Sequence, residues 1–162
     1  MKRQKRKFEK PLKLWDKSRI DEDRKLIQDY GLRRKKEIWK AESILRNYRR
    51  IARSFVGRRD IEREKILFDK LFKMGLVGKD ADLDDVLVLT VGKILDRRLQ
   101  TLVFKKGLAN SIKQSRQFIV HGHISLDGRK ITWPSKLVTI DEEDNISFYE
   151  KSKIKGVKLE KK

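Results

Sequence analysis

Hydrophobic residues recur every three or four positions down to about Gly122, then every second position beyond it, and this change of period constrains the fold more than any other feature. It predicts a helical first part followed by a short sheet, an α+β chain. The boundaries can be read locally. Ser18, with Asp21 three residues on, predicts a helix start, and Gly31 after Tyr30 its end. Ile38, Ala41, Leu45, Tyr48 and Ala52 form the buried stripe of a second helix from about Lys35 to Ser54. A third runs from Asp60 to Met74 and stops at Gly75, and Gly75 to Asp85 reads as a loop. Thr90 is placed to cap a continuous helix through Ile94, Leu95, Leu99, Leu102 and Val103 to Gly107. Ser111 with Gln114 forms a capping box for the next helix, which ends after His121 at Gly122. Ile124 and Leu126 then alternate up to the hairpin dipeptide Asp127-Gly128, and Ile131 and Trp133 resume the alternation. Pro134 breaks it. Leu137 to Ile140 reads as a further strand, Asp141 to Asn145 as an acidic turn, and Ile146 to Tyr149 as a last strand.

Charge is the second constraint. The chain carries 43 Lys and Arg against 24 Asp and Glu, a formal +19 in 162 residues. Such a field requires an acidic partner, with nucleic acid the first candidate and an anionic membrane the second. The excess is segmental: +7 over residues 1–19, +6 over 20–60, −2 over 61–96, +8 over 97–136 and zero beyond. The first stretch, almost without apolar periodicity, is expected to be an extended arm that is disordered alone and orders on its ligand. This divides the chain into a basic arm (1–19), a helical domain (20–94), a compact binding module (95–149) and a Lys-rich tail (150–162).

Several chemistries are disfavoured. No cysteine is present, which excludes disulfides, a thiolate nucleophile and Cys-ligated zinc. The basic start is followed by no apolar stretch of signal-peptide length, and the longest apolar run, Val86 to Leu89, cannot span a bilayer, so a soluble cytoplasmic protein with no membrane partner is expected. Asp80 to Asp85 opens like a calcium loop, but Asp85 stands where Gly is needed and Val91 where Glu is needed; an acidic helix start capped by Asp82 fits better. Gly78-Lys79 and Gly92-Lys93 lack the remainder of a phosphate loop. His121 and His123 have no further ligands near them and read as surface donors to phosphate or base. No interpretable Ser, His and Asp set appears, so neither an enzyme nor a cofactor is expected. Trp39 and Trp133 read as core, and Trp15 as an anchor for the arm.

Residues 97–136 carry nine basic side chains against Asp127 alone, and solvated faces usually mix signs. The candidate nucleic-acid-binding residues are Arg97, Arg98, Lys105, Lys106, Lys113, Gln114, Arg116, Gln117, His121, His123, Arg129 and Lys130, joined by Arg46, Arg49, Arg50 and Arg53 of the helical domain. The free amides of the helix opened by Ser111 offer a further phosphate site beside Lys113.

The run Arg97-Arg98-Leu-Gln-Thr-Leu-Val-Phe-Lys-Lys-Gly-Leu-Ala109, with Gln114-Ser-Arg-Gln-Phe-Ile-Val-His-Gly-His-Ile124, Asp127-Gly-Arg-Lys130 and Pro134-Ser135, resembles the S-four RNA-binding domain. That module also occurs in pseudouridine synthases, tyrosyl-tRNA synthetases and a heat-shock RNA-binding protein. Upstream, Trp15-Asp-Lys, Tyr30-Gly-Leu-Arg-Arg-Lys-Lys-Glu-Ile-Trp39, Leu45-Arg-Asn-Tyr-Arg-Arg50 and Leu83-Asp-Asp-Val-Leu-Val-Leu-Thr90 resemble the archaeal and eukaryotic branch of the S-four family of small-subunit ribosomal proteins. The amino-terminal cysteine knuckle common in bacterial members is missing, consistent with that branch.

The resemblance implies a mostly helical first half packed against a module of two helices and a short antiparallel sheet. It implies a structural constituent of the small ribosomal subunit, a primary binder of its RNA at a multi-helix junction that nucleates assembly. Neighbouring small-subunit proteins are implied partners, as is messenger RNA where it enters the subunit; DNA is not. Two rivals follow from the residues: an RNA-modifying enzyme delivered by the module, for which no catalytic constellation is found, and a regulatory RNA-binding factor using the same surface.

Overall fold

The computed structural model describes residues 7–13, 15–57 and 60–152. Residues 1–6 of the arm and 153–162 of the tail lie outside the described residues. Among the described residues, eight helices and three strands follow in order: α1 (Lys17–Asp29), α2 (Lys35–Gly57), α3 (Ile61–Lys73), α4 (Leu83–Val88), α5 (Val91–Asp96), α6 (Leu99–Lys105), α7 (Ile112–Val120), β1 (Ile124–Leu126), β2 (Arg129–Lys130), α8 (Ile140–Asp144) and β3 (Ile146–Phe148). The fold is α+β, with one antiparallel sheet ordered β2-β1-β3.

Two apolar clusters form where the periodicity places them. The larger gathers Ile38, Ala41, Leu45, Tyr48 and Ala52 of α2 against Leu67, Leu71, Val86, Leu89, Ile94 and Leu95. The smaller joins Leu99, Leu102 and Val103 of α6 to Phe118 and Ile119 of α7 and to Ile124, Leu126 and Ile146 of the sheet. The helix stops at Gly31, Gly75, Gly107 and Gly122 all have positive φ, and the residue after each bonds back to the carbonyl five positions before it. Ser111 accepts from the Gln114 amide, one half of the expected capping box; the Gln114 side chain accepts from the Asn110 amide in place of that of Ser111. Asp127 and Gly128, at φ 51° and 74°, make the two-residue hairpin turn, pairing Leu126 with Arg129. Asp82 precedes α4, and its amide donates to Asp85.

Five expectations fail for physical reasons. The helix from Thr90 to Gly107 is two helices. The break falls at Arg97-Arg98 because the backbone there pairs with another segment: Val138 donates to the Arg97 carbonyl, and Leu99 donates to that of Lys136. The supposed strand from Leu137 to Ile140 contributes only that bridge, after which Thr139 caps α8 through a reciprocal bond with Glu142, so the acidic turn is a helix. The loop from Gly75 to Asp85 is cut short by α4. At the first helix the cap is Asp16, to which Ser18 donates at 2.8 Å. The tryptophans also move. Trp133 is 70% exposed because strand pairing ends at Lys130, and the alternation that points Ile131 inward does not extend past it. Trp15 is 90% exposed and makes no ring contact among the described residues, while Trp39 is only half-buried. Phe8, 5.9 Å from the Trp39 ring, and Glu9, paired with Arg46, hold the arm to α2 instead.

Candidate nucleic-acid interface

The basic residues of the module divide into those with intramolecular partners and those without. Arg98, the cap of α6, is 4% exposed, and its guanidinium lies 2.5 Å from Glu37 of α2. Arg116 of α7 meets the same carboxylate at 3.2 Å and also donates to the Gln100 side chain. Glu37 additionally accepts from the Arg33 amide, so one carboxylate ties the start of α2 to α6 and α7. Burial alone would raise the Glu37 carboxyl; the bonds from Arg116 and Arg98 outweigh this and hold it below its ordinary value. Gln100, fully buried, completes the joint by sharing its amide among the carbonyls of Tyr30, Gly31 and Ile112.

Gly31 makes this approach possible. A Cβ there would lie 2.4 Å from Ile112 and 2.9 Å from the Gln100 amide nitrogen, and φ is +55°, so both space and backbone require glycine.

Arg97 is also occupied, bonded to Glu143 at 2.7 Å and to the Val138 carbonyl. Lys105 pairs with Asp96 at 2.9 Å, and Lys106 reaches the Glu143 carbonyl. Gln114 accepts from the Asn110 amide, which spends its carbonyl on the cap of α7. His123 lies 2.9 Å from Ser152 and edge-on to Phe118.

A smaller set is exposed and has no bond to another side chain among the described residues: Lys113 and Gln117 on α7, His121 at its end, and Arg129 and Lys130 on β2. Gly122, at φ +76°, brings these elements together, since the Lys130 chain occupies the place a Cβ would take. His121 stacks at a tilt 6.2 Å from His123. The exposed set therefore spans α7, its exit turn and the hairpin.

The α2 arginines form a separate face. At 100° per residue, Glu37 and Arg53 lie on opposite flanks of the buried stripe. Arg46 pairs with Glu9, Arg49 donates to the Leu89 carbonyl at 2.6 Å, and Arg50 donates to Asn47 at 3.1 Å. Arg53 is exposed with no partner among the described residues. A shallow cleft of about 340 Å³ is lined by Arg46, Arg49 and Arg53 together with Arg19 and Glu42.

No described helix is long and apolar enough to cross a membrane. Among the described residues, no group of three or more His, Asp or Glu side chains is placed to hold a metal ion.

Residues 97–145 match the S4 domain. The whole chain is similar to curated archaeal proteins called small ribosomal subunit protein uS4. The protein of Methanocella arvoryzae is 48% identical over 165 residues, covering 96% of this chain and 80% of its own length. That of Methanothermobacter thermautotrophicus is 47% identical over 154 residues, covering 93% and 90%, and that of Saccharolobus solfataricus is 48% identical over 159, covering 96% and 88%. The chain belongs to the uS4 family. Within this uS4 chain, the residues that sequence reasoning missed are Glu37 and Gln100. Glu37 left a signal, being the single acid in the run Arg33-Arg-Lys-Lys-Glu-Ile-Trp-Lys40, where one carboxylate among cations must serve a partner. Gln100 left none beyond its apolar neighbours.

Proposed function

We propose that the chain is a structural, non-enzymatic constituent of the small ribosomal subunit in the cytoplasm, working by binding ribosomal RNA and neighbouring small-subunit proteins. The observation that carries this reading is a module that presents Lys113, Arg129 and Lys130 exposed and without an ion-pair partner among the described residues, in a chain nearly half identical to ribosomal proteins along most of its length.

The finer reading is that Lys113, Gln117, His121, Arg129 and Lys130 grip phosphates of a multi-helix junction, with the first amides of α7 beside Lys113. Lys105, Lys106, Arg97, Gln114 and His123 would add contacts from side chains that also hold internal bonds, while Arg98 and Arg116 fix α6 and α7 against α2. Arg46, Arg49, Arg50 and Arg53 form a second contact on α2. Because RNA of A-form geometry is read mostly by shape and backbone, a fixed spacing between the two cationic faces would select a folded junction and nucleate assembly around it. The same exposed charge would serve messenger RNA where it enters the subunit.

The test is reconstitution with small-subunit RNA followed by sedimentation through high salt. Stoichiometric retention on the particle, with crosslinks from residues 113–130 to one junction, is expected. Wash-off, or crosslinks scattered among unrelated RNAs, would instead mark a mobile regulatory factor. Affinity for isolated RNA should fall with salt at a log–log slope of about −0.7 to −0.9 per phosphate contact.

A further inference from the structure

Between the two apolar clusters lies a groove of about 510 Å³ that the rim does not use. Its lining includes Lys7, Lys40, Arg98, Arg116, Trp133 and Pro134 over an apolar floor from α2 and α5. Four cations thus face it against one carboxylate, Glu37, which Arg98 and Arg116 already saturate. Lys7 and Lys40 remain exposed and without a partner among the described residues.

Trp133 is 70% exposed, yet the turn bearing it is fixed by the backbone. Lys136 donates to the Trp133 carbonyl at 3.3 Å, Gln100 to that of Pro134 at 3.4 Å, and Leu99 to that of Lys136 at 2.8 Å. A large apolar ring exposed at the mouth of a cationic groove, on a turn whose main chain is already bonded, is a stacking platform that costs no further backbone ordering on binding.

We propose that this groove receives one unpaired nucleotide of the bound RNA, its base stacked on Trp133 and its phosphate held by Lys7 and Lys40. The proposal rests on the RNA-binding reading above and deepens it by naming a base-stacking subsite. Continuity supports it, because Arg116 lies in the groove wall while Lys113, one turn before it on α7, belongs to the rim. A strand lying along the rim is therefore one helical turn from the groove. An acidic peptide would satisfy the charges but finds no strand edge there, since the walls are helices and a turn.

The test uses the full chain and the small-subunit RNA of Methanothermobacter thermautotrophicus, comparing Trp133→Ala, Trp133→Phe and the rim variant Lys113→Ala/Arg129→Ala/Lys130→Ala. Thermal melting of Trp133→Ala should match the parent, because the side chain is mostly in solvent. Its affinity should fall about 5- to 150-fold, the range of a lost base stack, while Trp133→Phe keeps most of it. A benzophenone side chain placed at 133 should crosslink to one nucleotide. Unchanged affinity for Trp133→Ala beside a weakened rim variant overturns this proposal alone. Unchanged affinity in both overturns the RNA-rim reading and this subsite with it. Crosslinks from position 133 only to protein in the assembled subunit also overturn it.

Discussion

The joint between α2 and the module and the rim along α7 and the hairpin are both rich in basic side chains, yet their charges do opposite work. At the joint, Arg98 and Arg116 share the single carboxylate of Glu37, and within the module Arg97 pairs with Glu143. At the rim, Lys113, Arg129 and Lys130 have no such partner among the described residues. The nine basic residues of 97–136 look uniform along the sequence because the acids that meet them lie outside the segment: Glu37 and Glu143 reach Arg98, Arg116 and Arg97 from 46 to 79 residues away, and Asp96 and Glu142 flank it for Lys105 and Lys136. A local excess of charge is therefore an upper bound on the charge a surface offers. The joint spends its share on holding two clusters together.

The largest break in this comparison should come from Glu37→Ala, which leaves two guanidiniums facing each other with little solvent. Removing one partner of a buried pair costs about 3–5 kcal/mol, and urea denaturation should register a loss in that range. Gln100→Leu comes next. It strands the carbonyls of Tyr30, Gly31 and Ile112 behind an apolar side chain, and a loss of about 1–3 kcal/mol is expected by the same measurement. A Gln100→Leu chain as stable as the parent would show that the joint is held by packing alone.

Acid should produce a smaller effect. The Glu37 carboxyl lies below its ordinary value of 4.5 in the fold, so its contribution is complete above that pH and is lost as pH falls through the lowered value. Between pH 5 and 3 the melting temperature of the parent should drop more steeply than that of Glu37→Gln. Parallel curves would remove Glu37 from the acid response. Asp23 works in the opposite sense, since burial raises its carboxyl despite Lys35 and Arg19, and protonation there favours the fold.

The smallest stability change is expected at the rim. Lys113→Ala/Arg129→Ala/Lys130→Ala should melt within about 0.5 kcal/mol of the parent, as exposed substitutions do. The same variant should flatten the salt dependence of RNA binding by about two to three units of slope. If it unfolds, the distinction between joint and rim collapses.

What the sequence made legible follows from how local each signal is. Helix stops at glycine, the Ser111–Gln114 cap and the Asp127-Gly128 turn each depend on a few neighbouring residues, and all three stand in the structure. The break at Arg97-Arg98 has no local cause, since no Gly or Pro marks it; it exists because residues 136–138 pair with it. Trp133 was misplaced by extending an alternation beyond the strand that sustains it. Helix α8 carries a local signal too, since Thr139-Ile-Asp-Glu142 is a capping box lying across the segment whose apolar pattern suggests a strand and turn. The rim was visible as a charge run, but sorting it into spent and available cations required Glu37 and Glu143 in space.

The backbone bridge between Arg98 and Leu137 bears on how the molecule measures distance. Where the chain passes from one cluster to the other there is no slack tether, because main chain from either side of the module is bonded across the crossing. The molecule acts there as a set square. Fixing the hairpin end on one surface sets the bearing of the α2 arginines toward the next, so an error in seating one end appears at the other as a displacement and is not absorbed between them.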